Sequence, residues 1–433
     1  MPRSEPYWWE DAGAPASPAP EALPAEVDVL IIGAGLTGLS AARTLAKAGR
    51  SVLVLDAGAP GIGASSRNGG MVGGGHRLSL EQLTARYGRD TAVALLREAH
   101  IEAHAFVRAL MAEEQIACDY AETGRFRGFW NASEYETTAR ATDALTAAIG
   151  LEAELVSQDR QREEVASDLY RGGIVYPRHG GLNPAKWVAG MLAAARRAGA
   201  RVEGDTPVTA VTPDGPAMRV ETARGTLRAG QVLAATNGYT PAALPQHRRI
   251  VPVPSFIVAT EPLGENRIRA LFPKGRMIVE SRERHCYYRP SPDGKRIVFG
   301  GRAAMYEAGT GFTERQLTGL LGQIFPDLGP VGITHHWRGR TGFGFGLLPH
   351  VGQIDGIWHA MGYSGNGNTM APYLGHKAAL AMLGDPAAET AFSQTTLETR
   401  WWHRATPSGT PWFLPAADLV FRARDAWAGL GRR

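Results

Sequence analysis

The apolar positions of this chain change rhythm along its length, and the first change is the most informative. Val27, Val29, Leu30, Ile31 and Ile32 form a run broken only by Asp28, the pattern of a parallel strand covered on both faces. Leu39, Ala42, Leu45 and Ala46 then recur at helical spacing, Gly49 ends that helix, and 51–55 read as a second strand. Between the first strand and the helix stand Gly33, Gly35 and Gly38 at G-x-G-x-x-G spacing, and Asp56 closes the unit. Gly33 permits the tight turn, Gly35 lets a pyrophosphate approach the backbone, and Gly38 lets helix and strand pack closely. The phosphates would meet the helix N-terminus, and Asp56 would accept bonds from ribose hydroxyls. The unit says dinucleotide and leaves NAD and FAD both open.

Beyond Asp56, glycines at 58, 61, 63, 69, 70, 73, 74 and 75 interleave with Ser65, Ser66, Arg67 and Asn68, which permits close backbone approach to a bulky flat ligand. Helical spacing resumes over 80–114 through Ala92, Leu95, Leu96, Ala99 and Ala103. Residues 118–130 alternate like a strand, 133–149 read as a helix with Ser133 as cap, and 173–176 look extended. Asn183 before Pro184 marks a helix start, with Gly199 past its end. Strands around Val208 and Val220 and the stretch QVLAATNGYT then return to the first sheet, so the nucleotide domain is expected to be discontinuous.

The stretch 285–302 reads as a hairpin with Asp293 and Gly294 in the turn, placing Arg289 opposite Val298, Tyr287 opposite Gly300 and His285 opposite Arg302. Alternation puts His285, Tyr287 and Arg302 on one face. Further on, the strand IWHAMG feeds YSGNGNTMAPYLG and a second helix, whose N-terminus can point at an anionic or electron-rich group.

Composition narrows the function. The chain has 433 residues, 46 basic and 42 acidic, without a basic block of the kind that tracks nucleic acid, so no nucleic-acid partner is expected. No stretch is long and apolar enough to span a bilayer, and 1–26, proline-rich and acidic, lacks the features of a signal peptide. Cys118 and Cys286 lie far apart and read as reduced thiols of a cytoplasmic protein. His335 and His336 lack metal-ligand companions, and no metal is expected. The cluster Tyr7, Trp8 and Trp9 is expected to anchor the lead-in on the body, and the tryptophan-rich 391–433 to wrap it.

PYWWEDA, IIGAGLTGLSAA, GASSRNGGMV, GGLNPAKWV, VLAATNGYT, the hairpin ending FGGR, LLPHVG, GYSGNGNTMAPYLG and PWFLP cover nearly the whole chain. In these blocks, and in their order, the chain resembles the D-amino-acid oxidase type of FAD-dependent oxidoreductases, in particular the branch of gamma-glutamylputrescine oxidase. The resemblance implies an α/β chain, α+β overall, with a Rossmann-like FAD-binding domain at 27–100, 173–245 and 340–390. A mostly antiparallel substrate domain would occupy 101–172 and 246–339, with 1–26 as lead-in and 391–433 as tail.

It implies that Gly33, Gly35, Leu36, Thr37 and Gly38 hold the FAD diphosphate and Asp56 the ribose. Ser65, Ser66, Arg67, Asn68, Gly69, Gly70 and Met71 would run beside diphosphate and flavin, Val208 would meet the adenine, and Thr236 would close the cofactor turn. Gly365, Asn366, Gly367, Asn368 and Thr369 would face the flavin pyrimidine. Some relatives carry the flavin on a cysteine where this chain has Gly339, so the FAD is expected to be non-covalent. Gly346 replaces an aspartate, and Val298 stands where sarcosine-type relatives have an oxygen-activating lysine. The implied reaction is oxidation of the carbon–nitrogen bond of a small amine or amino acid to an imine, with O2 as acceptor. Arg302 would bind a substrate carboxylate, and Tyr287 and His285 would order the rest. A dehydrogenase with another acceptor, a nicotinamide enzyme and a flavin-binding protein without turnover are the rivals. Oligomeric state is not legible.

Overall fold

The computed structural model describes residues 2–75, 77–404 and 411–430. The unit read from sequence is built as expected: strand Glu26–Ile32, helix Leu36–Lys47 and strand Val52–Leu55, the two strands paired in parallel. Their sheet runs His350–Ile354, Ile357–Met361, Gly225–Ala234, Glu26–Ile32, Val52–Leu55, Arg201–Glu203, with the strands Val208–Asp214 and Ala217–Thr222 attached to Gly225–Ala234. The central pairings are parallel and buried on both faces, as the run Leu30–Ile32, at most 5% exposed, requires.

A second sheet of eight strands orders Ile333–Gly344, Ile250–Thr260, Ile297–Gly301, Tyr287–Pro290, Met277–Glu280, Arg125–Gly128, Gly173–Tyr176 and Glu154–Val156. All its pairings are antiparallel except Met277–Glu280 with Arg125–Gly128. The hairpin register is the one read from sequence, Tyr287 facing Gly300 and Arg289 facing Val298. Gly173–Tyr176, grouped by sequence with the nucleotide domain, pairs in this second sheet instead, and Ile333–Gly344 runs unbroken across the boundary expected at 339/340.

Other local expectations shift for identifiable reasons. Of 118–130 only Arg125–Gly128 is strand, because Ala121 makes no more than an isolated bridge to Gly181, and Gly124 and Phe129 bond to the His179 and Gly172 carbonyls. The cap of helix Ala132–Ile149 is Asn131, whose side chain accepts from the Glu134 amide at 3.2 Å, and Ser133 lies inside the helix. Asn183 caps Pro184–Arg197 as expected.

The lead-in is anchored. Trp8 is 1% exposed and donates its indole N–H to the Asn68 carbonyl at 2.8 Å, while Arg3 bonds through its backbone to Thr334 and His336 at the edge of the second sheet. The lead-in thereby ties that sheet to the glycine-rich segment. In the tail, helix Leu414–Leu430 docks through Leu414 and Phe421, and Asp425 accepts from the Glu283 and Arg284 amides at 2.9 and 3.1 Å. Of the tail's tryptophans only Trp402 packs inward, 5.8 Å from the Phe345 ring and 5.0 Å from the Phe413 ring, while Trp401, Trp412 and Trp427 are 60–81% exposed. Residues 405–410 and 431–433 of the expected tail lie outside the described residues. Among the described residues no helix is long and apolar enough to cross a membrane, and no cluster of potential metal ligands occurs.

Candidate active site

The glycine turn is shaped by contacts that a side chain would destroy. Gly33 has φ +105°, and a Cβ there would lie 2.9 Å from the Ala235 carbonyl oxygen. A Cβ at Gly38 would lie 2.0 Å from the Gly33 carbonyl oxygen, so strand and helix meet backbone to backbone. A Cβ at Gly35 would lie 2.9 Å from Ser65 Oγ, which accepts from the Leu36 amide at 3.1 Å and so ties the glycine-rich segment to the helix start. Asp56 accepts from the Ala34 amide at 2.7 Å and the Gly58 amide at 3.1 Å. A carboxylate offers about four lone-pair sites, which leaves capacity for two ribose hydroxyls. Burial raises the Asp56 pKa, opposed by these amide bonds.

A second helix, Gly367–Leu383, brings its N-terminus to the same place. It packs on Leu36–Lys47 so closely that a Cβ at Gly375 would sit 2.3 Å from the Thr37 carbonyl oxygen. Thr37 Oγ1 bonds the Tyr363 hydroxyl at 2.8 Å, and Ser40 donates to the Pro372 carbonyl at 2.7 Å. The turn before this helix uses Ser364 at φ +51° and Gly365 at φ +107°. Asn366 reaches the Gly75 carbonyl at 2.9 Å, and Asn368 bonds both Asn68 Oδ1 at 2.8 Å and the Met71 carbonyl at 3.0 Å. Two helix N-termini and the glycine-rich segment are thus locked together.

They line one cavity of about 910 Å³, near the upper end of small-molecule sites, which run roughly 300–1,000 Å³. Of the expected cofactor residues, Gly33, Gly35, Leu36, Thr37, Asp56, Ser65, Arg67, Asn68, Gly69, Met71, Val208, Thr236, Gly365, Asn366, Gly367 and Asn368 line it. Gly38, Ser66, Gly70 and Thr369 stand behind it. Gly38 is a packing residue, and Ser66 is fully buried. Gly70 turns at φ +68° against the Leu182 carbonyl, and Thr369 Oγ1 bonds both backbone groups of Gly73.

At the far end the cavity meets the second sheet. His285, Tyr287 and Arg302 all line it, as the hairpin register predicts for one face. The strand begins only at Tyr287, however, and His285 reaches the cavity from a left-handed residue at φ +43°. His285 Nδ1 lies 3.0 Å from the Glu280 carbonyl, which fixes the proton on Nδ1 and leaves the lone pair on Nε2. Burial, reinforced by Arg77 and Arg302, holds its pKa well below the ordinary histidine value, so the ring is neutral. Burial pushes the Tyr287 phenol up to about 12, and its hydroxyl bonds Ser255 Oγ at 3.0 Å. Arg302 donates to the Glu283 carbonyl at 3.0 Å and lies 5.4 Å from the Phe343 ring centroid.

Val298 does not reach the cavity; it packs with Trp8, Ile257 and Trp337, two residues before Gly300 on the same strand. Gly346 is also outside the lining, its carbonyl accepting from Arg86 at 3.1 Å. His335 and His336 are structural: the first faces Glu10 and Thr334, and the second bonds Thr313 at 3.1 Å. Both cysteines are buried away from the cavity. Sequence reasoning missed Arg77, Arg125, Arg127 and Phe343, which also line the far end. The alternation of Arg125 and Arg127 across Phe126 was the one available signal.

Comparison with known proteins agrees with this geometry. A family model described as FAD dependent oxidoreductase matches residues 28–380. The chain is 31% identical over 369 residues to the gamma-glutamylputrescine oxidoreductase of Escherichia coli (strain K12), covering 84% of this chain and 86% of that protein. It is 33% identical over 389 residues to the probable oxidoreductase OrdL of Rhizobium meliloti (strain 1021), covering 88% and 90%. In fold it is similar to the glycine oxidase of Geobacillus kaustophilus, with TM-score 0.73 at 21% identity over 87% of this chain and 99% of that one.

Proposed function

The chain belongs to the FAD dependent oxidoreductase family, and from that premise we propose that it oxidises the carbon–nitrogen bond of an amine or amino acid. Hydride leaves the carbon beside nitrogen, water hydrolyses the resulting imine to a carbonyl compound and ammonia or a smaller amine, and O2 takes the two electrons and becomes hydrogen peroxide. The observation that carries the reading is the continuity of one cavity from Gly33 and Asp56, past both helix N-termini, to Arg302, Tyr287 and His285. The residues fit FAD. Gly33, whose Cβ would strike the Ala235 carbonyl, and Gly35, whose Cβ would strike Ser65 Oγ, would form the diphosphate cradle, Asp56 keeps acceptor capacity for ribose, and a second helix end favours negative charge farther along. Neither cysteine touches the cavity, which agrees with non-covalent binding.

When bound, FAD supplies the acceptor for the hydride, so the chain's own residues bind, orient and exclude water. Arg302 offers two parallel N–H groups to a substrate carboxylate. His285, with Nδ1 committed to Glu280, presents Nε2 as an acceptor for the substrate amine. Its low proton affinity makes it an orienting group rather than a store for the amine's proton. Tyr287 leans over Gly300, where a Cβ would lie 2.3 Å from its ring, and touches Gly69. With Arg289, which donates to the Gly70 carbonyl, and Trp337, which donates to the Arg67 carbonyl, it is therefore one of the side chains that join the second sheet to the cofactor segment.

Anaerobic mixing of the purified yellow protein with a panel of amines and amino acids tests the proposal: at least one bleaches the flavin, and hydrogen peroxide appears under air. Failure of every amine to bleach it would sink the reading, and bleaching without peroxide would move the acceptor away from O2.

A further inference from the structure

The far end of the cavity carries more positive charge than the proposed reaction needs. Arg77, Arg125, Arg127 and Arg302 all line it. Among the described residues none of them pairs with a carboxylate directly: Glu280 is held by Arg282 at 2.6 Å, Glu283 faces both Arg77 and Arg302 but lies 3.5 Å from Arg424, and Asp425, which also faces Arg302, accepts from the Glu283 and Arg284 amides. Among the described residues the Arg77 side chain hydrogen-bonds only the Ser364 carbonyl, at 3.4 Å, and the Arg302 side chain only the Glu283 carbonyl. Arg125 donates to the Gly74 carbonyl at 3.2 Å through one terminal nitrogen, while its Nε is buried with no hydrogen-bond partner among the described residues. Such an orphaned donor is costly unless a ligand satisfies it.

The guanidinia fall into two pairs. Arg77 and Arg302 flank Phe343, at 5.3 and 5.4 Å from its ring centroid. Arg125 and Arg127 are two apart on the strand Arg125–Gly128, hence on one face of the sheet. One carboxylate would answer one pair and leave the other uncompensated. Resting on the amine-oxidation reading above, we propose that the substrate is an amine bearing two carboxylates, one held between Arg77 and Arg302 and the other by Arg125 and Arg127. A diamine or a simple monocarboxylic amino acid does not match this charge.

The test is calorimetric titration of the FAD-loaded protein, at fixed ionic strength, with glutarate, butyrate and 1,4-diaminobutane as unreactive or weakly reactive probes under anaerobic conditions. Glutarate is expected to bind at least tenfold more tightly than butyrate, and the diamine more weakly than either. Arg77→Met and Arg127→Met are each expected to weaken glutarate tenfold or more with unchanged FAD content. Equal affinity for glutarate and butyrate, tighter binding of the diamine, or variants that leave glutarate unmoved would overturn the proposal, and the wild-type ligand series decides even if a variant does not fold. Amines that bleach the flavin while the two acids bind alike would remove the dicarboxylate inference and spare the oxidation. Preferential glutarate binding with no amine able to bleach would do the reverse.

Discussion

Gly375→Ala is expected to damage the cofactor site although residue 375 does not line it. The added Cβ would lie 2.3 Å from the Thr37 carbonyl oxygen, 3.0 Å from its carbon and 3.1 Å from its Cα. All three are backbone atoms, so no rotamer change relieves the clash. Restoring ordinary contact at 3.4 Å moves the helices apart by about 1.1 Å. That displacement strains the Thr37–Tyr363 and Ser40–Pro372 bonds, each worth about 1 kcal/mol. Overpacking adds about 1–3 kcal/mol, and the better helix propensity of alanine returns up to about 1 kcal/mol. The net loss is roughly 2–4 kcal/mol, and the two helix N-termini lose their common aim. Thermal denaturation should show a Tm several degrees lower, and reconstitution with FAD followed by fluorescence should show at least tenfold weaker binding. Gly319→Ala, in a helix where the added methyl meets nothing within 4 Å, should leave FAD binding unchanged and raise stability by a fraction of a kcal/mol. A Gly375→Ala protein with wild-type Tm and FAD affinity would refute the argument that backbone contact between these helices sets the cradle.

Asp56→Asn keeps the side chain's shape but removes the charge that accepts from Ala34 and Gly58, and a tenfold or greater loss of FAD affinity is expected in the same reconstitution assay. Trp8→Ala empties a fully buried site and removes the bond to Asn68; about 3–5 kcal/mol of stability should disappear in urea denaturation. Acid precipitation should release all the flavin into the supernatant, since no cysteine touches the cavity, and yellow colour retained in the pellet would contradict non-covalent binding. Burial lowers His104 and His350 to about 4 and His359 to about 3, with Arg108, Arg249 and His350 as the next contributions respectively. The unfolded chain therefore binds protons first, and stability should fall as pH drops below about 6.5, each histidine contributing up to about 1.4 kcal/mol per pH unit. A Tm constant from pH 7 to 5 would speak against neutral burial of these rings.

The cofactor half of the site was legible in the sequence because its signals are local. The turn from Gly33 to Gly38, the acid at 56 and the strand–turn–helix at 357–383 each place their own backbone within a few residues. The hairpin was legible for the same reason, since a short turn fixes the register that sets Tyr287 opposite Gly300. Even so, Val298 could not be placed, because which side chains of a strand reach a cavity depends on what covers the rest of that face. Here Trp8 and Trp337 cover it, the first from 290 residues away in sequence.

The arginines of the far end show where local reading stops. Arg77 follows the glycine-rich segment, Arg125 and Arg127 belong to a four-residue strand, and Arg302 ends a hairpin. Each taken alone looks like a surface cation, the commonest role for arginine. They converge because Arg125–Gly128 inserts in parallel beside Met277–Glu280, a crossover pairing that no short-range pattern specifies. That insertion carries Arg127 into register with Val279, which itself pairs with Tyr287. One row across the sheet thus joins Arg127 to a residue that touches the cofactor segment. The far end is therefore a property of strand order rather than of any motif, and on the proposed reading substrate choice would change by exchanging side chains on that row while the glycine turn stays as it is.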